Sequence, residues 1–457
     1  MVNMDRKEKI ITDYLVIGAG AMGLAFADEI INMSAGTGND ATEIVIVDKR
    51  AKPGGHWNDA YDFVRLHQPS YSYGVSSMPL GSGDKDLCSK YQLLAYFELA
   101  LKKMVDTGRL RFLAQCEYLG DGRVRSMVDK ELEYEVTTRK KTVDATYLNT
   151  CVPSTHPPKY SCSPEISLVP INGLTRIQKP WQKYVVVGAG KTGIDAVLYL
   201  LDLNIDPDMI VWIMPNDSWF FNRAAFYLES VMDYVDGTTK ALYQVENFKE
   251  LMLKMEEGEW MLRLDKTRWP TKFKCATVNM EEFNKLKKIK NIVRQGRVAD
   301  ILADKIVFQD GSSYPTNITN LHVDCTADGL AAKPPCPIFQ GKNIILQSVS
   351  FCQQVYSASV IAGLEARAED DDDKKNRILT PVPHPEYIED YVQMVIDTQK
   401  NDTRNVNEGS GFFWLRNNRL GLFYHLSVVD ILKIIYLEYS MPLVARLESE
   451  KFQIKRK

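Results

Sequence analysis

Two stretches of this chain repeat one construction, and together they limit what it can fold into. The first reads Asp13-Tyr14-Leu15-Val16-Ile17, then the turn Gly18-Ala19-Gly20-Ala21-Met22-Gly23, a helical stretch over 24–33, and the run Ile44-Val45-Ile46-Val47 closed by Asp48. The second reads Tyr184-Val185-Val186-Val187, then Gly188-Ala189-Gly190-Lys191-Thr192-Gly193, a helix over 194–203, and Met209-Ile210-Val211-Trp212-Ile213. Strand, glycine turn, helix and strand make one βαβ unit. The two turns lie 170 residues apart, too far for both to serve one nucleotide, so two dinucleotide sites are expected. The fold class is α/β, with two Rossmann-like dinucleotide-binding domains.

The chemistry of such a turn is steric and electrostatic. The first glycine permits the tight turn, the second lets the backbone approach a pyrophosphate, and the third lets helix pack on strand, while the helix N-terminus faces the negative charge. Asp48 closes its strand 25 residues after Gly23, where a carboxylate accepts hydrogen bonds from a ribose; a turn or helix-capping aspartate is the plainer reading.

Composition removes other classes. The 457 residues suffice for two or three domains, and the 56 Lys and Arg against 59 Asp and Glu leave a net charge of -3, with no field to hold a nucleic acid. The start is charged, without the apolar core of a signal peptide, and no transmembrane segment is expected: the nearest apolar run, 420–436, contains His425, Asp430 and Lys433 and reads as an amphipathic helix. The expected location is cytoplasmic, with the oligomeric state open and a homodimer among the options. Eight cysteines form no C-x-x-C pair and no zinc-like cluster, so each is read as a small, reduced, structural residue and no metal is expected.

Along the rest of the chain, 89–104 reads as a helix, 110–118 and 133–138 as short strands, and 152–170 as a proline-rich link. Helices are expected over 247–255 and 281–288, short strands over 291–308, and a buried strand at Leu321-His322-Val323-Asp324-Cys325, ending in Thr326-Ala327-Asp328-Gly329. The acidic run 369–373 reads as a solvated loop.

After Asp48 comes Lys49-Arg50-Ala51-Lys52-Pro53-Gly54-Gly55-His56-Trp57. An acidic residue, a basic spacer and Gly-Gly-x-Trp resemble the FAD signature of the flavin-containing and Baeyer-Villiger monooxygenases. With the second turn and the late Thr-Ala-Asp-Gly, the chain resembles the two-dinucleotide-binding-domain flavoproteins over 13–368, closest to a branch of FAD/NAD(P)-binding proteins whose members are mostly unassigned. One element of the flavin-containing monooxygenase pattern, Phe-x-Gly-x-x-x-His-x-x-x-(Tyr/Trp) before the second turn, is missing from 171–183.

The resemblance implies FAD at Gly18, Gly20, Ala21, Met22, Gly23, Asp48, Lys49, Gly55, His56 and Trp57, with Asp328 approaching the same nucleotide. It implies NADPH or NADH at Gly188, Gly190, Lys191, Thr192 and Gly193. Neither an acid nor an arginine ends the strand 209–213; Lys191, Asn216, Ser218 and Arg223 are candidates for a 2′-phosphate, and a surface ion pair is the competing reading of Arg223. His67 and Gln68 are the candidate catalytic residues, placed at the flavin's reactive edge and walled by Tyr71 and Tyr73. The polar segment 347–358 is expected to line the flavin pocket, and the aromatics Phe412, Phe413, Trp414, Phe423 and Tyr424 to cap the substrate side.

The domain plan expected is 1–172 and 319–370 for FAD, 173–318 as an inserted NAD(P) domain, and 371–457 as a helical cap. The implied activity is an NAD(P)H-dependent flavin monooxygenase that passes one oxygen of O2, through a flavin C4a-hydroperoxide, to a small or lipophilic substrate. Two alternatives keep the nucleotides: a dehydrogenase or oxidase without oxygen transfer, and a non-catalytic redox sensor.

Overall fold

The computed structural model describes residues 6–35, 42–327, 329, 333–368, 371–409, 411–449 and 452. Asp328 and residues 369–370 lie outside the described residues.

The first sheet takes the order Phe339–Gln340, Asn343–Ile345, Leu132–Asp144, Arg6–Ile17, Ile44–Asp48, Leu110–Ala114. From Asn343–Ile345 to Leu110–Ala114 every pairing is parallel. Ile44–Asp48 is buried at all of its positions, as a parallel strand covered on both faces must be. The helices Ala21–Ser34 and Gln354–Arg367 pack against each other, and each buries nearly all of its first ten residues. Lys90–Asp106 begins where Ser89 and Gln92 form a capping box, so Ser89 caps the helix expected over 89–104 and does not start it.

The second sheet runs Ile292–Val293, Ile210–Ile213, Tyr184–Val187, Leu321–Asp324, Ser167–Pro170, all parallel. This corrects the domain plan. Leu321–Asp324, expected to reopen the first domain at 319, pairs instead with Tyr184–Val187, and Ser167–Pro170, assigned to the link before residue 173, is its outer neighbour. A four-residue buried strand satisfies either sheet equally well, and sequence carries no register to choose between them.

A small sheet of Met261–Arg263, Ser218–Asn222 and Lys272–Val278 leaves the second unit. It packs through Trp219, Phe221 and Phe273 against Val392, Met394 and Ile396 of the helix Asp390–Asn407. The C-terminal part is helical, from Asp372–Ile378 to Leu443–Leu447. The acidic run is not simply a solvated loop: the Asp371 side chain caps Asp372–Ile378, and Asp372 pairs at 2.5 Å with the buried Lys141. Among the described residues no helix is long and apolar enough to cross a membrane.

The cysteines also depart from expectation. Cys275 and Cys352 are joined as a disulfide, with Cα atoms 6.5 Å apart. A sequence separation of 77 hides the pair from any motif search.

Candidate functional site: two glycine turns on one cavity

At the first turn Gly18 holds φ at 102°, a conformation few side chains adopt. A Cβ on Gly23 would sit 2.0 Å from the Gly18 carbonyl oxygen, so the third glycine is demanded by contact between helix and turn. Gly20 precedes the helix Ala21–Ser34 with no side-chain cap, which leaves the helix N-terminus open to an anion.

Asp48 braces this turn. Its Oδ2 accepts from the Ala19 amide and its Oδ1 from the Arg50 amide, each at 2.7 Å. The Gly54 amide donates to the Ala19 carbonyl at 2.8 Å, strapping the Gly-Gly segment to the turn, and the Gly55 and Gly20 backbones face each other. Trp57 Nε1 donates to the Tyr73 hydroxyl at 3.0 Å. Burial lowers His56 to about 4, so its ring is neutral at pH 7. Lys49 pairs with Glu117 at 2.8 Å on the surface.

The second turn repeats the first. Gly188 has φ 122°, and a Cβ on Gly193 would lie 2.1 Å from the Gly188 carbonyl oxygen. Trp212 Nε1 donates to that same carbonyl at 2.8 Å, a brace the sequence does not announce. Gly190 has open space where a Cβ would stand. Lys191 pairs with Asp195, whose Oδ2 accepts from the Tyr61 hydroxyl at 2.5 Å. Burial, with the Asp195 charge added, pushes the Tyr61 phenol well up.

The 2′-phosphate reading of Arg223 is corrected. Its side chain is 1% exposed, paired with Glu282 at 2.9 Å, and donates to the His67 carbonyl at 2.8 Å and the Thr277 carbonyl at 3.3 Å. Its Nη1 makes no hydrogen bond, but the side chain is buried and does not border the cavity on which the turns open, so it presents no face to a phosphate there. Asn216 and Ser218 do not border the cavity either, so of the four candidates only Lys191 does.

Both turns open on one cavity of about 2100 Å³. It is bordered by Gly18, Gly20, Ala21, Met22, Asp48, Lys49, Gly55, His56 and Trp57 from the first unit and by Gly190, Lys191 and Thr192 from the second. Gly23, Gly188 and Gly193 stand behind it as packing glycines. His67 and Gln68 border it as well. His67 Nδ1 lies 3.2 Å from Thr277 Oγ1, and burial, reinforced by the Lys191 and Arg223 charges, lowers the ring to about 3. It is a neutral imidazole at any ordinary pH. Gln68 Nε2 donates to Gln353 Oε1 at 3.0 Å, tying this segment to the start of Gln354–Arg367.

Much of the polar segment 347–358 lines the cavity, including Gln347, Ser350 and Gln353. The aromatic cap is corrected. Phe423 borders the cavity, but Phe413 is 79% exposed and Trp414 is buried elsewhere, donating to Glu29 Oε1 at 2.6 Å. Arg419, unremarked in the sequence, clamps the Tyr71 and Tyr73 carbonyls at 2.5 and 2.9 Å and so fixes the segment that carries both tyrosines.

No family model matches the sequence. Over 433 residues the chain is 40% identical to uncharacterized proteins of Mycobacterium tuberculosis and Mycobacterium bovis, covering 91% of this chain and 79% of each relative. The chain belongs to their family. Among solved structures, the polycyclic ketone monooxygenase of the fungus Thermothelomyces thermophila is similar over 95% of this chain and 88% of its own, with a TM-score of 0.54 and 12% identity. The flavin-containing monooxygenase of Stenotrophomonas maltophilia is similar over 78% of this chain and 98% of its own, with a TM-score of 0.47 and 13% identity. The first of these likenesses shows the fold alone: a mixed α/β chain built on parallel sheets, with a helical C-terminus.

Proposed function

We propose that this chain is an FAD- and NAD(P)H-dependent oxidoreductase of the cytoplasm, and a monooxygenase that inserts one oxygen atom of O2 into a small or lipophilic substrate. The observation that carries the reading is that two sterically complete glycine turns open on one cavity. The residues fit the two groups. Gly20 and Gly55 face each other without side chains, leaving backbone where an FAD pyrophosphate and ribityl arm would pass, and Gly190 leaves open space at the second helix N-terminus for a nicotinamide dinucleotide.

Bound FAD supplies what the side chains lack: two-electron transfer from a reduced nicotinamide and activation of O2. The chain's own part is to bind, orient and exclude water. Ala21 and Met22 begin the helix that would face the FAD pyrophosphate, and Asp48, already fixed by two amides, offers its remaining lone pairs to a ribose hydroxyl. Lys191 and Thr192 would face the nicotinamide dinucleotide. His67 stays uncharged, so it can accept or donate one hydrogen bond at the reacting edge without bringing a charge there, and Gln68 is oriented for the same edge by Gln353.

The test is the visible spectrum of the purified protein, followed by anaerobic mixing with NADPH and with NADH before O2 is admitted. The reading expects a bound flavin that one nucleotide bleaches, and incorporation of labelled oxygen from O2 into an added ketone or thioether. Bleaching that ends only in H2O2 would replace it with the oxidase reading. Absence of flavin, or a flavin neither nucleotide reduces, would overturn the enzyme reading.

A further inference from the structure

Cys275 and Cys352 form the disulfide, and both sulfurs belong to residues bordering the cavity. A ring nitrogen of His384 lies with them, the three ligating atoms all within 4.8 Å of one another. Cys275 belongs to the strand Lys272–Val278 of the small sheet, and Cys352 stands just before Gln353 and the helix Gln354–Arg367. The bond therefore ties the small sheet to the helix of the first domain, beside the Gln68–Gln353 hydrogen bond.

The backbone on both sides is strained. Cys275 holds φ at 53° within a strand, and Phe351, next to Cys352, holds φ at 41°. A non-glycine residue in the left-handed region costs free energy, and such residues collect at functional sites. Two of them flanking one crosslink, with an imidazole in reach, are more than a buried structural staple requires.

We propose that Cys275, Cys352 and His384 form a dithiol/disulfide exchange site that reacts with small-molecule thiols entering the cavity. Cys352 is the less buried of the two residues and is the one attacked. A small thiol gives its proton to His384, and its thiolate forms a bond to Cys352 Sγ. The Cys275–Cys352 bond breaks, its electron pair leaves on Cys275 Sγ, and His384 returns the proton there. A second small thiol attacks the mixed disulfide at the small thiol's own sulfur; Cys352 leaves as thiolate and takes that thiol's proton. Two small thiols are oxidised to one small disulfide, and the protein disulfide is reduced to two thiols. Desolvation lowers the His384 ring to about 4, so the imidazole is neutral near pH 7 and relays the proton from the incoming thiol to the leaving sulfur without keeping it. No cofactor takes part, so the proposal stands or falls separately from the flavin reading.

The test is a thiol count on the purified full-length protein. Of eight cysteines, six should titrate after denaturation without reductant, with a peptide map linking Cys275 to Cys352. Incubation of the folded protein with glutathione should raise the count to eight. Cys352→Ser should give seven whether or not glutathione is present. His384→Gln should leave the initial count at six and slow the glutathione step about a hundredfold, the lower end of what a positioned proton carrier contributes. Eight thiols at the outset would overturn the proposal. So would a pair that glutathione releases only after denaturation, which marks a structural staple, or one equivalent of zinc bound to a reduced pair. A glutathione rate unchanged by His384→Gln would overturn the role of the imidazole.

Discussion

The Tyr61 hydroxyl donates to Asp195 Oδ2 at 2.5 Å, and Asp195 also holds Lys191. Tyr61 belongs to the segment after Gly-Gly-x-Trp, and Asp195 to the helix that starts at the second turn. One carboxylate thus links the surroundings of both turns. Tyr61→Phe removes the link and leaves Asp195 with Lys191 alone. A hydrogen bond to a charged group contributes about 1.5–3 kcal/mol, so a loss of that order is expected in urea unfolding. The KM for the reduced nicotinamide should rise more than kcat falls.

The glycines separate packing from binding. A Cβ on Gly193 would meet the Gly188 carbonyl at 2.1 Å, while one on Gly190 meets nothing within 4 Å. Gly193→Ala should destabilise the protein by about 1–3 kcal/mol, as overpacking does. Gly190→Ala should leave the unfolding midpoint unchanged and weaken nicotinamide binding, read as slower anaerobic bleaching. Equal effects on stability would show that open space at Gly190 is not a binding feature.

Arg223 tests a structural role against a cofactor role. Arg223→Met strands Glu282 and should cost about 3–5 kcal/mol, the usual result of breaking a buried pair from one side. The ratio of rates with NADPH and NADH should not move. A selective loss of NADPH use would restore the 2′-phosphate reading.

Asp402 borders the cavity, and burial alone raises its carboxyl from 3.8 to about 7. Between those two values the folded chain keeps a proton that the unfolded chain releases. Stability therefore falls as pH rises through that window, by about 1.4 kcal/mol per pH unit at most. Denaturant midpoints measured from pH 4 to pH 8 should show this decline, and Asp402→Asn should flatten it.

What could be read in advance follows the range of the interactions. The turns at Gly18 and Gly188 were legible because their constraint is local: a tight turn and a helix in contact with it, all within six residues. Asp48 was legible as the residue that closes its strand, though not as the brace of Ala19 and Arg50. Arg223 was misread because exposure is not written in a sequence, and its partners, His67 and Glu282, lie 156 and 59 residues away. The Arg419 clamp on Tyr73, 346 residues away, and the Cys275–Cys352 bond needed the fold itself.

The second unit begins and ends on neighbouring strands: Ser167–Pro170 leads into it, Leu321–Asp324 leads out, and the two are hydrogen-bonded side by side. Everything between is a closed excursion that returns to within a strand spacing, about 4.8 Å, of where it left. The excursion does not hang on that pair of strands alone, because the Cys275–Cys352 bond, the Tyr61–Asp195 hydrogen bond and the contact of Arg223 with the His67 carbonyl also fasten it to the rest of the chain. It is nonetheless a segment that could be cut out and replaced by a few linking residues while the first domain kept every one of its strands.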